Sequence, residues 1–159
     1  GMGDAERARR VADTIALVGL NGAVHKYPHQ LSGGMRQRVA LARLFAYEPK
    51  VLLMDEPLAA LDAQTRTILQ DELLRVWGQD RPRAERRTVV FITHAIDEAV
   101  FLADRVVVMG NSPGHVREII PIDLPRPRGD ATRGDPRFQA LSLKIWNQIK
   151  SEAYRAATT

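Results

Sequence analysis

The sequence predicts an α/β fold built on parallel strands, and three observations lead there. Two short strand-like runs, the continuously apolar 51–54 and the 88–93 run with Val89 to Ile92 apolar at its centre, are followed by polar residues of reactive type, Asp55-Glu56 and His94. Unbroken apolar runs of this length are the pattern of strands buried on both faces, as in a parallel sheet. Around them lie segments with apolar residues at helical spacing. The third observation is Leu31-Ser32-Gly33-Gly34, a capping serine and an adjacent glycine pair that open one of those helices.

A chain of 159 residues, 45% hydrophobic, suffices for one globular domain with a real core. With no cysteine, a disulfide framework is excluded, which fits a reducing compartment. No apolar run approaches the roughly twenty residues of a membrane span, and no secretory signal pattern opens the chain, so a soluble cytoplasmic protein is expected. The net charge of +4 points toward nucleic acid or an anionic membrane surface, but the positive residues are spread along the chain. Gly1 before Met2 reads as a remnant of tag removal and is set aside.

In chain order, Ala8, Val11, Ile15 and Val18 predict a helix over 4–18, closed by Gly19 and Gly22. Residues 25–30 are a polar loop. His25 and His29 have a spacing that suits a helical metal site, but Pro28 opposes the helix and no acidic or cysteine ligand stands nearby. A second helix runs from Gly34 to about Tyr47 with Met35, Val39, Ala42 and Ala46 on one face, and Pro49 ends it. Ser32 is placed to cap it. Gly33 and Gly34 leave the first backbone N–H groups uncovered, where an anion also meets the positive end of the helix dipole. An ordinary glycine turn is the plain alternative. Arg36, Arg38 and Arg43 read as solvated charge.

The 51–54 run is a strand. Asp62 is a candidate N-cap for a helix over 63–77, whose core face is predicted as Ile68, Leu69, Leu73 and Val76, with Gly78 as its stop. Residues 79–87 form a charged loop without legible chemistry. After the 88–93 strand, a short helix over 96–103 carries Asp97 and Glu98 in its first turn. Strands over 105–109 and 116–122 make a hairpin around the turn from Gly110 to Gly114. The extended basic stretch Leu124-Pro125-Arg126-Pro127-Arg128 suits a nucleic-acid contact or a partner groove. Pro136 opens a last helix with Phe138, Leu141, Ile145 and Ile149 on one face.

Ligands of parallel sheets gather beyond the carboxyl ends of the strands. Adjacent strand residues point in opposite directions, so Asp55 and Glu56 can do different work. If the two strands run parallel, His94 stands on the same edge.

The run LSGGMRQRVALAR over 31–43, then VLLMDEP over 51–57, Ala60-Leu61-Asp62 and Thr93-His94, resembles the ATP-binding subunit of ABC transporters. Four motifs in register are far more specific than any one of them. The resemblance implies a partial P-loop NTPase core, preceded by part of a helical subdomain and followed by a C-terminal helix. The divisions are 2–48, 49–122 and 123–159. It further implies that Ser32, Gly33 and Gly34 contact the terminal phosphate of an ATP held mainly by the opposite subunit. By the same resemblance Asp55 holds Mg²⁺, Glu56 polarises the attacking water, and Asp62 meets the other subunit near that water. His94 touches the terminal phosphate and helps orient the water. Met35 departs from the commoner glutamine. The 124–128 stretch with Asp135-Pro136-Arg137-Phe138 looks most like the nitrate, sulfonate and taurine import branch. Implied partners are a second ATPase subunit and membrane permease subunits, with a peripheral position on the inner membrane face and no nucleic acid.

The phosphate-binding loop G-x-x-x-x-G-K-[ST] is not found in this sequence, which contains no Gly-Lys pair. Nor are its preceding strand, the adenine-stacking aromatic residue or the glutamine-bearing loop. The chain alone is therefore expected not to hydrolyse ATP, because positioning and charge stabilisation carry phosphoryl transfer. A sheet edge or face is expected to be uncovered and to favour association between copies. Competing readings are a non-catalytic binding or regulatory protein that keeps the dimer surfaces, and a DNA-associated ABC ATPase. The latter class usually carries coiled coils or zinc modules, which are absent from this sequence.

Overall fold

The computed structural model describes residues 3–47, 49–110 and 113–157, with side chains to Lys150. Gly1, Met2 and the Asn111-Ser112 part of the predicted turn lie outside the described residues. The element order is α1 (Asp4–Leu17), α2 (Gly33–Tyr47), β1 (Val51–Asp55), α3 (Ala63–Trp77), β2 (Thr88–Ile92), α4 (Ile96–Leu102), β3 (Arg105–Gly110), β4 (His115–Pro121), α5 (Asp130–Arg133) and α6 (Pro136–Ala157). No described helix is long and apolar enough to cross a membrane.

Strands β1 and β2 pair in parallel, with Val51 opposite Thr88 and Asp55 opposite Ile92. That register brings both carboxyl ends to one edge, as parallel strands need. Strands β3 and β4 form a separate antiparallel pair with a bulge between Val108 and Met109. The inward residues Leu52, Met54, Val89 and Phe91 join a core with Leu69, Leu73, Leu74 and Trp77 of α3 and Val100, Phe101 and Leu102 of α4. The Trp77 and Phe91 rings meet edge to face at 6.1 Å.

The expectation of strands buried on both faces is corrected. Val51, Leu53, Val90 and Ile92 are exposed, Leu53 by 75%. Period-2 alternation sends these side chains to the face that no described helix covers. Val107, Met109, Val116 and Ile119 of the hairpin are also exposed.

Helix α3 keeps its predicted bounds. Asp62 Oδ1 accepts the Thr65 N–H at 2.9 Å, and Gly78 closes the helix at φ 81°, a conformation only glycine adopts without strain. Its core face is rotated from the predicted one. Ile68 is exposed, while Gln70, Leu74 and Trp77 join Leu69 and Leu73 inside. In α1 the predicted stripe is half realised, with Val18 buried and Val11 exposed. In α6, Phe138 and Ile145 are buried and Ile149 is exposed.

Two basic groups that read as surface charge are structural. The Arg38 Nη1 group donates to the carbonyls of Val18 and Gly19, tying α2 to the end of α1. The 124–128 stretch is not a free basic patch. Arg126 pairs with Asp104 at 2.9 Å and donates to the Leu102 carbonyl. Arg128 is buried, its guanidinium donating to the carbonyls of Val100, Phe101, Ala103, Ile122 and Leu124. Its pKa is drawn down to about 10, chiefly by burial and then by neighbouring Arg126. A guanidinium offers five donors in a planar fork, which suits the carbonyls that end α4 and begin the tail.

Candidate functional site

At the edge where β1 and β2 end, Asp55 is the last strand residue and exposed, and Glu56 follows it. The Glu56 N–H donates to the Ile92 carbonyl at 3.0 Å, so the parallel pairing carries one residue beyond the strand. The backbone then turns through φ 44° at Glu56. Leu58 and Leu61 are buried and anchor the turn, which runs into the Asp62 cap of α3. The hydrogen bonds from Thr65, backbone first, hold the Asp62 carboxyl below its usual pKa.

From the neighbouring strand end, His94 Nδ1 lies 3.0 Å from Glu56 Oε1, a contact between residues 38 apart in sequence. The two side chains remain 73% and 45% exposed, so the pair is open to a ligand. An ionised carboxylate only accepts, so Nδ1 carries the proton of this bond and Nε2 remains as the second polar atom of the ring.

The turn that presents His94 is shaped by Thr93 and Glu98. The Thr93 hydroxyl donates to Glu98 Oε2 at 2.8 Å and accepts the Ala95 N–H at 3.0 Å. The other oxygen of buried Glu98 lies 3.6 Å from Arg66 Nε, so its charge is paired. Sequence reading missed this network. The only signal was a Thr and a Glu flanking a helix start, a pattern with many commoner explanations.

The Ser32 segment opens α2 at the surface. Its hydroxyl accepts the Met35 N–H at 3.2 Å, as an N-cap does, and Ser32 and Gly33 are exposed. The glycines differ. A Cβ at Gly33 would meet nothing within 4 Å, whereas one at Gly34 would stand 3.1 Å from the Ala60 carbonyl oxygen. Gly34 therefore lets α2 rest on the turn after Glu56. Gln37, one turn on, donates from Nε2 to the Glu56 carbonyl at 2.7 Å and accepts the Ala60 N–H at Oε1 at 3.3 Å. No sequence signal singled out Gln37, since a glutamine on a helix surface ordinarily faces water.

The His29 ring stacks on Tyr27 at 5.8 Å, and no group of three or more His, Cys, Asp or Glu among the described residues is arranged to hold a metal. A single exposed carboxylate such as Asp55 fits an ion that takes one or two carboxylates and completes its shell with phosphate oxygens and water, as Mg²⁺ does.

Comparison with known proteins bears on the family and the fold. The ABC transporter family profile matches residues 3–59. An uncharacterized ABC transporter ATP-binding protein of Methanocaldococcus jannaschii is 50% identical over 151 residues, covering 95% of this chain and 54% of that protein. A nitrate import ATP-binding protein of Synechococcus elongatus is 54% identical over 138 residues, covering 84% and 48%. Among solved structures, a dimeric post-hydrolysis ATP-binding cassette bound to ADP and Pi superposes with a TM-score of 0.63 at 30% identity, covering 81% of this chain and 50% of that one. The chain thus spans about half the length of the curated relatives it matches. Over that span its sequence is similar to the ATP-binding domains of ABC transporters, and it has the α/β fold of those cassettes.

Proposed function

We propose that this chain supplies half of an ATP sandwich that powers an importer of small anions such as nitrate, sulfonate or taurine. In this reading two ATPase subunits close on each other, and Ser32, Gly33 and Gly34 of one reach the terminal phosphate of an ATP seated on its partner. The observation that carries the reading is the Glu56–His94 pair at 3.0 Å on the edge where two parallel strands end. A carboxylate and an imidazole so placed orient and polarise a water in line with a phosphoryl group. Asp55 beside them would hold Mg²⁺, which when bound supplies charge neutralisation on the phosphates. Asp62, at the head of α3, faces the second subunit near that water.

An apolar cleft between α1 and α2, lined by Val11, Ile15, Val39 and Ala42, supports contact with a permease on the inner membrane face. The division into 2–48, 49–122 and 123–159 belongs to the same proposal. The import branch rests on the resemblance of the tail and on the nitrate importer's identity with this chain.

Without a phosphate-binding loop in the sequence, the chain alone does not turn ATP over. The test mixes it with a complete family subunit whose own serine-glycine segment has been inactivated. Hydrolysis is expected only in the mixture, and Gly33→Arg in this chain abolishes it. Mg²⁺-dependent turnover by the chain alone that vanishes in Glu56→Gln would overturn the inactive-alone reading. Failure to stimulate the complete subunit would favour the non-catalytic binding or regulatory alternative.

A further inference from the structure

Among the described residues, Glu56 is the one non-glycine with a left-handed backbone, φ 44°. A residue with a Cβ holds that conformation only where its surroundings impose it. Here the constraint is visible atom by atom. The Glu56 N–H is fixed to the Ile92 carbonyl at 3.0 Å. Its carbonyl accepts the Ala59 N–H at 3.2 Å from its own turn and the Gln37 amide at 2.7 Å from α2. The same Gln37 side chain accepts the Ala60 N–H at 3.3 Å, so one amide grips both ends of the turn from Glu56 to Ala60. Gly34, on the same helix face three residues earlier, lets Ala60 come close enough for that grip.

We infer that Gln37 is a positioning residue for Glu56: its amide couples the seating of the Ser32-capped helix to the pose of the Glu56 carboxylate against His94. A displacement of α2 must stretch the Gln37 bonds or carry the Glu56 carbonyl with it. Rotation of that peptide moves the carboxylate relative to Nδ1 of His94. Resting on the function proposed above, this links the two nucleotide sites of a dimer through one chain. The phosphate met by Ser32 and Gly33 belongs to one site, and the Glu56 that answers to it belongs to the other.

The experiment reads the His94 ring and involves no nucleotide. In the full chain with ¹⁵N-labelled histidine, long-range proton–nitrogen spectra above the imidazole titration report which nitrogen carries the proton. The carboxylate contact holds it on Nδ1 in the parent. Gln37→Met, of matched length but without the amide, is expected to lower the Nδ1–H fraction at His94 by about two-fold or more toward that of free imidazole. His115, whose Nδ1 lies 2.9 Å from the Pro113 carbonyl, should keep its own tautomer and serves as internal control. Gln37→Glu still accepts from Ala60 but sets a carboxylate against the Glu56 carbonyl. It should give the same loss, and it is the variant to read if Gln37→Met does not fold. An unchanged His94 tautomer in a folded variant overturns the inference. ATP turnover does not enter this readout, so failure of the sandwich and failure of the Gln37 link are separate results.

Discussion

Replacing Arg128 by leucine removes the only buried arginine among the described residues and tests whether the tail is strapped to α4 by charge. Two of its bonds are well formed, at 2.7 Å to the Ala103 carbonyl and 3.0 Å to that of Phe101. Bonds from a charged donor contribute about 1.5–3 kcal/mol each, so these two supply roughly 3–6 kcal/mol. Against that stands the cost of burying the charge. A pKa drawn down to about 10 corresponds to a penalty of about 3 kcal/mol at neutral pH. Leucine relieves the penalty but strands buried carbonyls, at about 1–3 kcal/mol. The balance is a loss of about 3 kcal/mol, or roughly 6–12 °C in melting temperature for a chain of this size. Urea unfolding followed by circular dichroism, parent against Arg128→Leu, measures it. A variant as stable as the parent would refute the reasoning, because the carbonyls would then need no cation. The sign with pH is also set. Below about pH 10 both folded and unfolded chains hold the proton and the penalty is constant. Above it the folded chain releases the proton first, so stability contributed by this group rises with pH up to the ordinary guanidinium value.

Three further outcomes are expected. Gly33→Ala should be neutral or stabilise the fold by up to about 1 kcal/mol, since alanine favours helix and meets no neighbour, whereas Gly34→Ala should be the less stable of the two because its Cβ meets the Ala60 oxygen at 3.1 Å; thermal melts of the pair decide. Leu53→Lys, on the uncovered face, should leave stability within about 0.5 kcal/mol and reduce self-association in light scattering, and unchanged association would place the contact elsewhere. Asp62→Ala should lower the melting temperature near neutral pH. Because Thr65 holds the Asp62 pKa down, its contribution is present above the ordinary aspartate value and fades as pH falls through the lowered one, so parent and variant should converge in acid.

What the sequence by itself determined is local chemistry. Asp62 and Gly78 bound α3 because a side-chain acceptor and a left-handed glycine act within one turn of their own position. Ser32 caps α2 for the same reason, and apolar runs ending in Asp55-Glu56 and His94 mark strand ends. That His94 shares an edge with Asp55 and Glu56 was legible once the strands were taken to be parallel, whereas the 3.0 Å contact of its ring with Glu56 is given by the structure. Tertiary structure alone decided which side chains the neighbours use. Gln37 looks like an ordinary surface residue, and Thr93 and Glu98 like a strand end and a helix first turn, until α2 and α4 dock beside the strand ends. Arg126 and Arg128 read as a basic patch until the tail crosses the end of α4, where carbonyls lacking a helical partner take up their donors. The uncovered face of β1 and β2 was likewise beyond the pattern, because a run of apolar residues records that each position tolerates burial and only packing settles which side receives it.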